Sequence, residues 1–218
     1  MSDTNPVLIG IAGLARSGKD TIAGYLRDDY RFSSLSFAAP IKRALSAMLG
    51  LSPRQLEGDE KDVVLPWLGV SPRELMQELG TGWGREIIRP DIWLIVCGRY
   101  LDGFMTEQWV DPEKEKKAKV VAINLGIEVD GVGSPRNADS CAGVVISDVR
   151  MANEAAFIRE RGGLVLHVKR DAAAAVRSHS SEAGVAVHPG DVVIPNNGTL
   201  DELYARVDDV VLAMVAET

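Results

Sequence analysis

The sequence feature that most constrains the fold is a glycine-rich turn between an apolar run and an amphipathic segment. The run Val7–Ala12 has the composition of a strand buried on both faces, as in a parallel sheet. From Gly18 to Tyr30 the apolar residues recur at helical spacing. The residues that join them follow the pattern G-x-x-x-x-G-K from Gly13 to Lys19. A strand, a loop of this pattern and a helix in that order predict an α/β protein.

The loop pattern also predicts a binding site for phosphate. Gly13 and Gly18 let the backbone curl without side-chain clashes, so several N–H groups can face one anion. The positive end of the following helix adds to that field, and Lys19 would bridge the phosphates that take part in transfer. We therefore predict a catalytic Lys19 and a nucleotide-binding loop made of Gly13, Ala15, Arg16, Ser17, Gly18, Lys19, Asp20 and Thr21.

Thr21 and Asp148, which both carry side-chain oxygen atoms, are candidates for a Mg²⁺ site. Asp20 stands directly after Lys19, where many loops of this type place a Mg²⁺-binding hydroxyl, and Thr21 follows one position later. Asp148 comes directly after the buried-strand pattern Gly143–Ser147, and the carboxyl ends of parallel strands meet at one edge of a sheet. We predict that Thr21 and Asp148 hold Mg²⁺ and that Asp148 also has a catalytic role. The alternative for Asp148 is a cap on the next helix.

The rest of the chain alternates between strand-like and helix-like segments. Such alternation predicts a parallel sheet covered by helices on both faces. Ser71, followed by Pro72 and Glu74, predicts the start of one helix, and Asp91 predicts the start of another. Further strands are predicted at Leu35–Phe37, Gly143–Ser147, Leu164–Val168 and Val192–Ile194, and further helices at 39–49, 151–161, 172–179 and 199–215.

Composition places the chain among ordinary globular proteins. Its 218 residues, 46% hydrophobic and 25% charged, fit one ordinary α/β domain or one domain with an insertion. The N-terminal segment before the first apolar run is short and polar, so we expect no signal peptide. No apolar stretch approaches the roughly 20 residues of a membrane span, so we expect no membrane partner. Two cysteines without metal-ligand spacing favour a reduced, cytoplasmic setting. The net charge of −7 argues against stable nucleic-acid binding, which normally needs a basic face.

Three blocks taken in order carry a resemblance to a known family. They are G-K-D-T at Gly18–Thr21, G-T-x-x-G-R at Gly80–Arg85 and D-V-R-x-x-N-E at Asp148–Glu154. As a set they resemble the bacteriophage deoxynucleoside monophosphate kinases. The resemblance implies ATP- and Mg²⁺-dependent transfer of one phosphoryl group to a deoxynucleoside 5′-monophosphate. The setting would be cytoplasmic, in the host cell for a phage-encoded chain, and a homodimer is compatible with it.

The same resemblance implies a three-layer P-loop NTPase-like fold similar to adenylate kinase. Residues 1–218 would form a single P-loop kinase domain with a parallel sheet. Within it, residues 34–100 would form a helical acceptor-binding part and residues 170–190 a short lid-like segment. We interpret residues 102–142, which contain a charge run and several glycines, as an insertion.

Further site residues follow from this resemblance. A second phosphate needs its own cations, which Lys42, Arg85 and the planar fork of Arg150 could supply. Trp93 could stack on a base or simply pack in a core. Asn196 could meet adenine or ribose, or form part of an Asn-Gly turn. The predicted acceptor site is Lys42, Gln77, Thr81, Arg85, Trp93, Arg150 and Glu154; Arg150 and Arg170 are added to Lys19 and Asp148 as catalytic residues, and Asn196 to the ATP site.

Three other functions stay open at this point. One is a small-molecule kinase on the same scaffold, such as one acting on dephospho-coenzyme A. Another is a kinase of a hydroxymethylated base in DNA, against which the net charge of −7 counts. The third is a nucleotide-binding switch or assembly protein, for which a hydroxyl rather than Asp20 would be expected after the lysine.

Overall fold

The computed structural model describes residues 7–105, 142–171 and 185–216. These residues form two compact units: residues 7–36, 142–171 and 185–216 in the first, and residues 37–105 in the second. The predictions for most of the insertion, and for the helix 172–179 in the lid-like segment, lie outside the described residues. Within the described residues, no helix is both long enough and apolar enough to cross a membrane.

The first unit is built on a parallel sheet of five strands, which confirms the predicted α/β class. The strand predicted at Leu35–Phe37 starts earlier than expected, because Phe32 is buried and pairs with Gly143, while polar Ser33 and Ser34 hide the strand pattern. The strands are β1 (Val7–Ala12), β2 (Phe32–Leu35), β3 (Gly143–Val149), β4 (Leu164–Lys169) and β5 (Val192–Pro195), in the spatial order β2-β3-β1-β4-β5.

Helices of the described residues follow the predicted alternation. Those predicted at 39–49, 151–161 and 199–215 are confirmed, within a few residues at their ends. In chain order they are α1 (Lys19–Asp28), α2 (Ala39–Leu49), α3 (Pro53–Leu56), α4 (Pro72–Gln77), a π-helical segment (Glu78–Ile88), α5 (Ile92–Met105), α6 (Ala152–Glu160) and α7 (Leu200–Ala216).

The core of the first unit holds α1, the helix that follows the glycine-rich loop, against the sheet. Ile9 and Ile11 of β1 are fully buried against Ile22 and Leu26 of α1 in a cluster that also includes residues of α7. On α6, Ile158 packs so closely on Gly10 that a Cβ there would lie 2.3 Å from its Cδ1 atom. Helices therefore cover both faces of the sheet, and β1 lies at its centre.

A tyrosine pair ties α1 to α7. The hydroxyls of Tyr25 and Tyr30 each donate to the same Asp208 carboxylate oxygen at 2.7 Å, and Tyr25 stacks on Tyr204. These hydrogen bonds to Asp208, reinforced by burial, raise the pKa of Tyr30 to about 12 and raise that of Tyr25 as well. Both tyrosines therefore stay neutral donors at physiological pH and fix the helix that begins at the glycine-rich loop.

The second unit is helical and has its own core. Buried Ile41, Leu45, Leu56, Leu65 and Trp93 form the centre of that core. Its helices begin largely as the caps predict. The Ser71 hydroxyl accepts from the Glu74 N–H while the Glu74 carboxylate accepts from the Ser71 N–H, which confirms the capping box. Asp91 directly precedes α5, and its carboxylate binds Arg89.

The π-helical segment in this unit was not predicted. It runs from Glu78 to Ile88 and includes the G-T-x-x-G-R block, and the Arg89 N–H closes it on the Gly84 carbonyl five residues back. Three glycines in so short a stretch weaken the periodic signal of an ordinary helix. Wide helical turns of this kind are rare and occur often at functional sites.

Candidate active site

Functional candidates converge at one edge of the parallel sheet in the first unit. Ser36 follows β2, Gly13 follows β1, Arg170 follows β4 and Asn196 follows β5, while Asp148 is the penultimate residue of β3. Because all five strands are parallel, their carboxyl ends share that edge. The sheet therefore brings together residues that lie far apart in the chain.

The glycine-rich loop lies so close to neighbouring atoms that its first position has no room for a side chain. A Cβ on Gly13 would lie 2.6 Å from the Val168 carbonyl oxygen of β4 and 2.8 Å from the Ser17 hydroxyl, so no other residue fits there. Gly18 has φ +105°, and Arg16 takes the left-handed conformation with φ +62°. A non-glycine residue held in that region is strained by about 1–3 kcal/mol, and such strain concentrates at functional sites.

Lys19 turns its ammonium group toward the loop that precedes it. Its Nζ atom donates to the Gly13 carbonyl at 2.7 Å and to the Leu14 carbonyl at 2.6 Å. These contacts hold a positive charge over the loop at the start of α1, where the helix dipole adds to the attraction for an anion. The arrangement is suited to phosphate binding.

The two oxygen atoms of Ser17, in the loop, differ in their hydrogen bonding. The Ser17 hydroxyl is buried, and among the described residues it has no hydrogen-bond partner. The Ser17 carbonyl, by contrast, accepts a 2.7 Å hydrogen bond from the side-chain amide of Asn196. Asn196, which we predict to contact adenine or ribose, is itself only 9% exposed. Its amide is therefore engaged by the loop.

Ser36 is a site residue that the sequence analysis missed. Its hydroxyl donates to a carboxylate oxygen of Asp148 at 2.6 Å and so orients that carboxylate at the edge of the sheet. The strand predicted at Leu35–Phe37 placed Ser36 inside the strand rather than after it. Had the end of β2 been placed correctly, a hydroxyl directly beyond a parallel strand would have been the signal.

Asp148 and Arg150 are presented by the end of β3 and the turn into α6. Glu154 is 3% exposed, and its carboxylate accepts hydrogen bonds from the backbone N–H groups of Arg150 at 2.8 Å and Met151 at 3.1 Å. Glu154 thus holds the backbone of Arg150 in place at the start of the helix, while the Arg150 residue itself is exposed.

The end of β4 is pinned in a similar way. The Asn197 side chain accepts from the Asp171 N–H and donates to the Asp171 carboxylate, both at 2.9 Å. Arg170 directly precedes this clamp and is exposed. The clamp therefore fixes the main chain beside Arg170 at the sheet edge.

The predicted acceptor residues lie in the second unit, apart from Arg150 and Glu154. The Lys42 ammonium binds the Glu57 carboxylate at 2.9 Å, with the lysine side chain 25% exposed. Gln77 and Thr81 are exposed and Arg85 is half-buried. Trp93 is 7% exposed and its indole N–H donates to the Gly80 carbonyl at 2.7 Å, so packing accounts for its place in the core.

Packing also explains one glycine of the G-T-x-x-G-R block. A Cβ on Gly84 would lie 2.6–2.9 Å from three atoms of the Trp93 ring, which is rigid and already buried. We expect Gly84→Ala to destabilise the protein by about 1–3 kcal/mol through overpacking. Urea unfolding of the full chain measures this.

Gly82→Ala, two residues away in the same segment, is the matched control. Its Cβ would meet only the flexible end of the Glu78 side chain, at 2.9 Å. No loss of stability is expected there, because alanine is favoured over glycine in helical backbone. Equal destabilisation by both changes would contradict the packing role of Gly84.

A parallel sheet that presents a glycine-rich loop, a lysine and a carboxylate at one edge belongs to the P-loop class of nucleotide-binding folds, and this chain is a member of that class. Comparison with known proteins identifies the family within this class.

The deoxynucleotide monophosphate kinase family model matches residues 7–64 and 135–207. A protein of Acanthamoeba polyphaga mimivirus, provisionally named a deoxynucleotide monophosphate kinase, is 34% identical over 92% of this chain and 94% of its own length. The deoxynucleotide monophosphate kinase of Escherichia phage RB69 is 25% identical over 93% of this chain and 98% of its own length. That of Enterobacteria phage T4 is 24% identical, covering 92% and 96%.

The chain belongs to the deoxynucleotide monophosphate kinase family. The resemblance carried by the three sequence blocks is thereby confirmed, and so is the expectation that the chain is a kinase.

Proposed function

We propose that this chain transfers one phosphoryl group from ATP to the 5′-phosphate of a deoxynucleoside monophosphate, giving the diphosphate. The observation that carries the proposal is the loop with Lys19 at the carboxyl edge of the sheet, in a chain whose family is named for this activity. The same edge also carries Asp148, Arg150 and Arg170, the groups that such a transfer uses.

ATP fits the loop on three grounds. The left-handed backbone at Gly18 and the close approach at Gly13 leave main-chain N–H groups without side chains in front of them. The buried Ser17 hydroxyl, unpartnered among the described residues, is a further polar atom inside the loop. Arg16, Asp20 and Thr21 complete the proposed nucleotide-binding surface around Lys19, with the half-buried Ala15 beside them.

Mg²⁺ fits the same site on the chemistry of its donors. Asp148 offers a carboxylate oriented by Ser36, and Thr21 offers a hydroxyl in the first turn of α1, which are the oxygen ligands that Mg²⁺ prefers. The described residues contain no group of three or more His, Cys, Asp or Glu side chains able to hold a metal. Asp148 and Thr21 would therefore share the ion with the phosphates of the nucleotide. When bound, Mg²⁺ offsets negative charge on the phosphates.

The chain's own residues supply positioning and charge. Lys19 holds the transferring phosphate, and Arg150 and Arg170 stabilise the charge that spreads over its oxygens in the transition state. Asp148 would contribute by holding Mg²⁺, because an ionised carboxylate cannot donate a hydrogen bond to an anionic phosphate oxygen. An oxygen of the acceptor 5′-phosphate forms the new bond to the γ-phosphorus of ATP as the bond from that phosphorus to the β-phosphate oxygen breaks, and ADP leaves. No covalent enzyme intermediate is needed, because alignment of the two phosphates supplies much of the rate.

The acceptor is proposed to use cations of the second unit. Lys42 and Arg85 would bind its 5′-phosphate, and the exposed Gln77 and Thr81 would contact its base or sugar. Lys42 would exchange its surface ion pair with Glu57 for the phosphate, a pair that contributes little because both groups are in contact with water. The net charge of −7 is consistent with a free mononucleotide rather than a DNA acceptor.

The direct test is coupled ADP release with Mg²⁺-ATP and each of dTMP, dGMP, dCMP, dUMP and dAMP in turn. We expect at least one monophosphate to stimulate ADP release well above the rate with ATP alone. A rate that no monophosphate raises, ordinary or with a modified base, would contradict the proposed function.

A further inference from the structure

Asn196 connects three parts of the first unit at the edge of the sheet. Its backbone N–H donates to the Lys169 carbonyl at 2.7 Å, which fixes the residue to the end of β4. Its side-chain amide then reaches the Ser17 carbonyl, also at 2.7 Å, in a site where Asn196 is 9% exposed. A buried hydrogen bond anchored on a strand end has little freedom to move, so it fixes the orientation of the carbonyl that accepts it.

That carbonyl belongs to the peptide group that joins Ser17 to Gly18. The peptide is planar and trans, so its C=O and N–H bonds point in opposite directions. With the Ser17 oxygen held by Asn196, the Gly18 N–H must point away from Asn196. It precedes the first turn of α1, and no described residue accepts a hydrogen bond from it.

Gly18 makes this arrangement possible and also makes it fragile. A Cβ at Gly18 would lie 2.3 Å from the Asn196 amide nitrogen, so only glycine leaves room for the amide. Glycine also adopts many backbone conformations at low cost, so nothing in Gly18 itself prevents rotation of the peptide. The orientation therefore depends on the hydrogen bond from Asn196.

We infer that Asn196 is a positioning residue, which locks the Ser17–Gly18 peptide so that the Gly18 N–H faces the phosphates of the bound nucleotide. This inference rests on the proposed use of the loop for a nucleotide. It differs from a contact between Asn196 and adenine or ribose, because Asn196 acts through the main chain of the loop. Loss of the amide frees the peptide to rotate, and a carbonyl oxygen then turns toward the anion in place of a donor.

The probe is inorganic triphosphate, which has the phosphates but neither base nor sugar. Its affinity for the full chain is measured by calorimetry for the wild type and for Asn196→Ala, with ATP measured in parallel. We expect Asn196→Ala to weaken the binding of both ligands by about tenfold or more. The charge-assisted hydrogen bond from the Gly18 N–H to the phosphate is lost, and the Ser17 carbonyl oxygen of the rotated peptide, which repels the anion, takes its place. Gln55→Ala removes a side-chain amide whose oxygen accepts from the Ser52 N–H at the start of α3 in the second unit, and should leave triphosphate affinity within about twofold.

Asn196→Asp separates positioning from a loss of folding. The substitution keeps the shape of the side chain, but an ionised carboxylate cannot donate to the Ser17 carbonyl, whereas a protonated one can. Burial raises the pKa of such a carboxyl. The deficit in triphosphate affinity relative to wild type should therefore shrink as the pH falls from about 8 to about 5.

The outcomes decide between the two roles of Asn196. Unchanged triphosphate affinity in Asn196→Ala overturns the inference, and weaker ATP binding with unchanged triphosphate binding assigns Asn196 to the base or sugar instead. A deficit in Asn196→Asp that does not change with pH also counts against it. Failure of every deoxynucleoside monophosphate to accept a phosphoryl group would overturn the proposed function, yet the triphosphate comparison would still decide the role of Asn196.

Discussion

Lys19→Ala is expected to lower the rate of phosphoryl transfer by about 10²–10³-fold or more, because it removes the ammonium group that the Gly13 and Leu14 carbonyls hold over the loop. Charge stabilisation is the main contribution that a protein makes to this chemistry, since transfer needs no covalent help. The change should fall chiefly on kcat, because the charge on the moving phosphate grows in the transition state. Steady-state kinetics with Mg²⁺-ATP and the best acceptor measure it.

Lys61→Ala is the matched control for that experiment. Lys61 lies in the second unit, on a turn ahead of α4, and has no place in the proposed site. It should keep kcat within about twofold, and both variants should show the thermal unfolding temperature of the wild type within a few degrees. A Lys19→Ala enzyme that retains normal kcat would remove the loop from the chemistry altogether.

Asp191→Ala is expected to reduce the free energy of unfolding by about 3 kcal/mol, and to lower Tm by roughly 6–12 °C. The Asp191 side chain is 2% exposed, and its carboxylate binds the Arg159 guanidinium through two hydrogen bonds of 2.7 and 2.8 Å. A ring nitrogen of His167 and the His188 N–H lie 2.8 Å from the same carboxylate. Removing Asp191 leaves these donors in a buried site without their acceptor. The Arg159 side chain is 23% exposed, so water compensates part of the loss.

The effect of Asp191 should depend on pH in a defined direction. Burial alone would raise the pKa of its carboxyl, but hydrogen bonds from Arg159, the His188 N–H and His167 outweigh burial and hold that pKa well below its usual range. A carboxyl whose folded pKa is depressed contributes stability above its unfolded pKa, near 3.9, and loses it as the pH falls toward the folded value. The difference in Tm between wild type and Asp191→Ala should therefore be constant from about pH 8 to about pH 5 and shrink below about pH 4.

Asp28→Ala serves as the control for burial. Asp28 also pairs with an arginine, Arg27, at 2.8 Å, but the two side chains are 64% and 57% exposed. A solvent-exposed pair of this kind contributes little, so Tm should stay within about 2 °C of wild type. Comparable losses in Asp28→Ala and Asp191→Ala would show that burial of the carboxylate is not the cause.

Several elements of the fold could be predicted because their signals are local. The capping box of Ser71 and Glu74 depends on residues three apart, and the G-x-x-x-x-G-K loop on residues that follow one another. The parallel sheet follows from the alternation of apolar runs with helical segments. The start of β2 was misplaced and the π-helical segment was missed, since polar residues or glycines interrupt the local pattern in both.

Local sequence thus specified the glycine-rich loop, the class of fold and, through three short blocks, the family of this chain. The contact of the loop with Asn196 and the contact of Ser36 with Asp148 could not be predicted from local sequence, because the partners are 179 and 112 residues apart. The same holds for the buried Asp191, whose partners Arg159 and His167 come from α6 and β4. Such pairs meet only when parallel strands align their carboxyl ends and the helices pack on them, and hydrogen bonds across the sheet then orient groups that the chain itself leaves free to rotate.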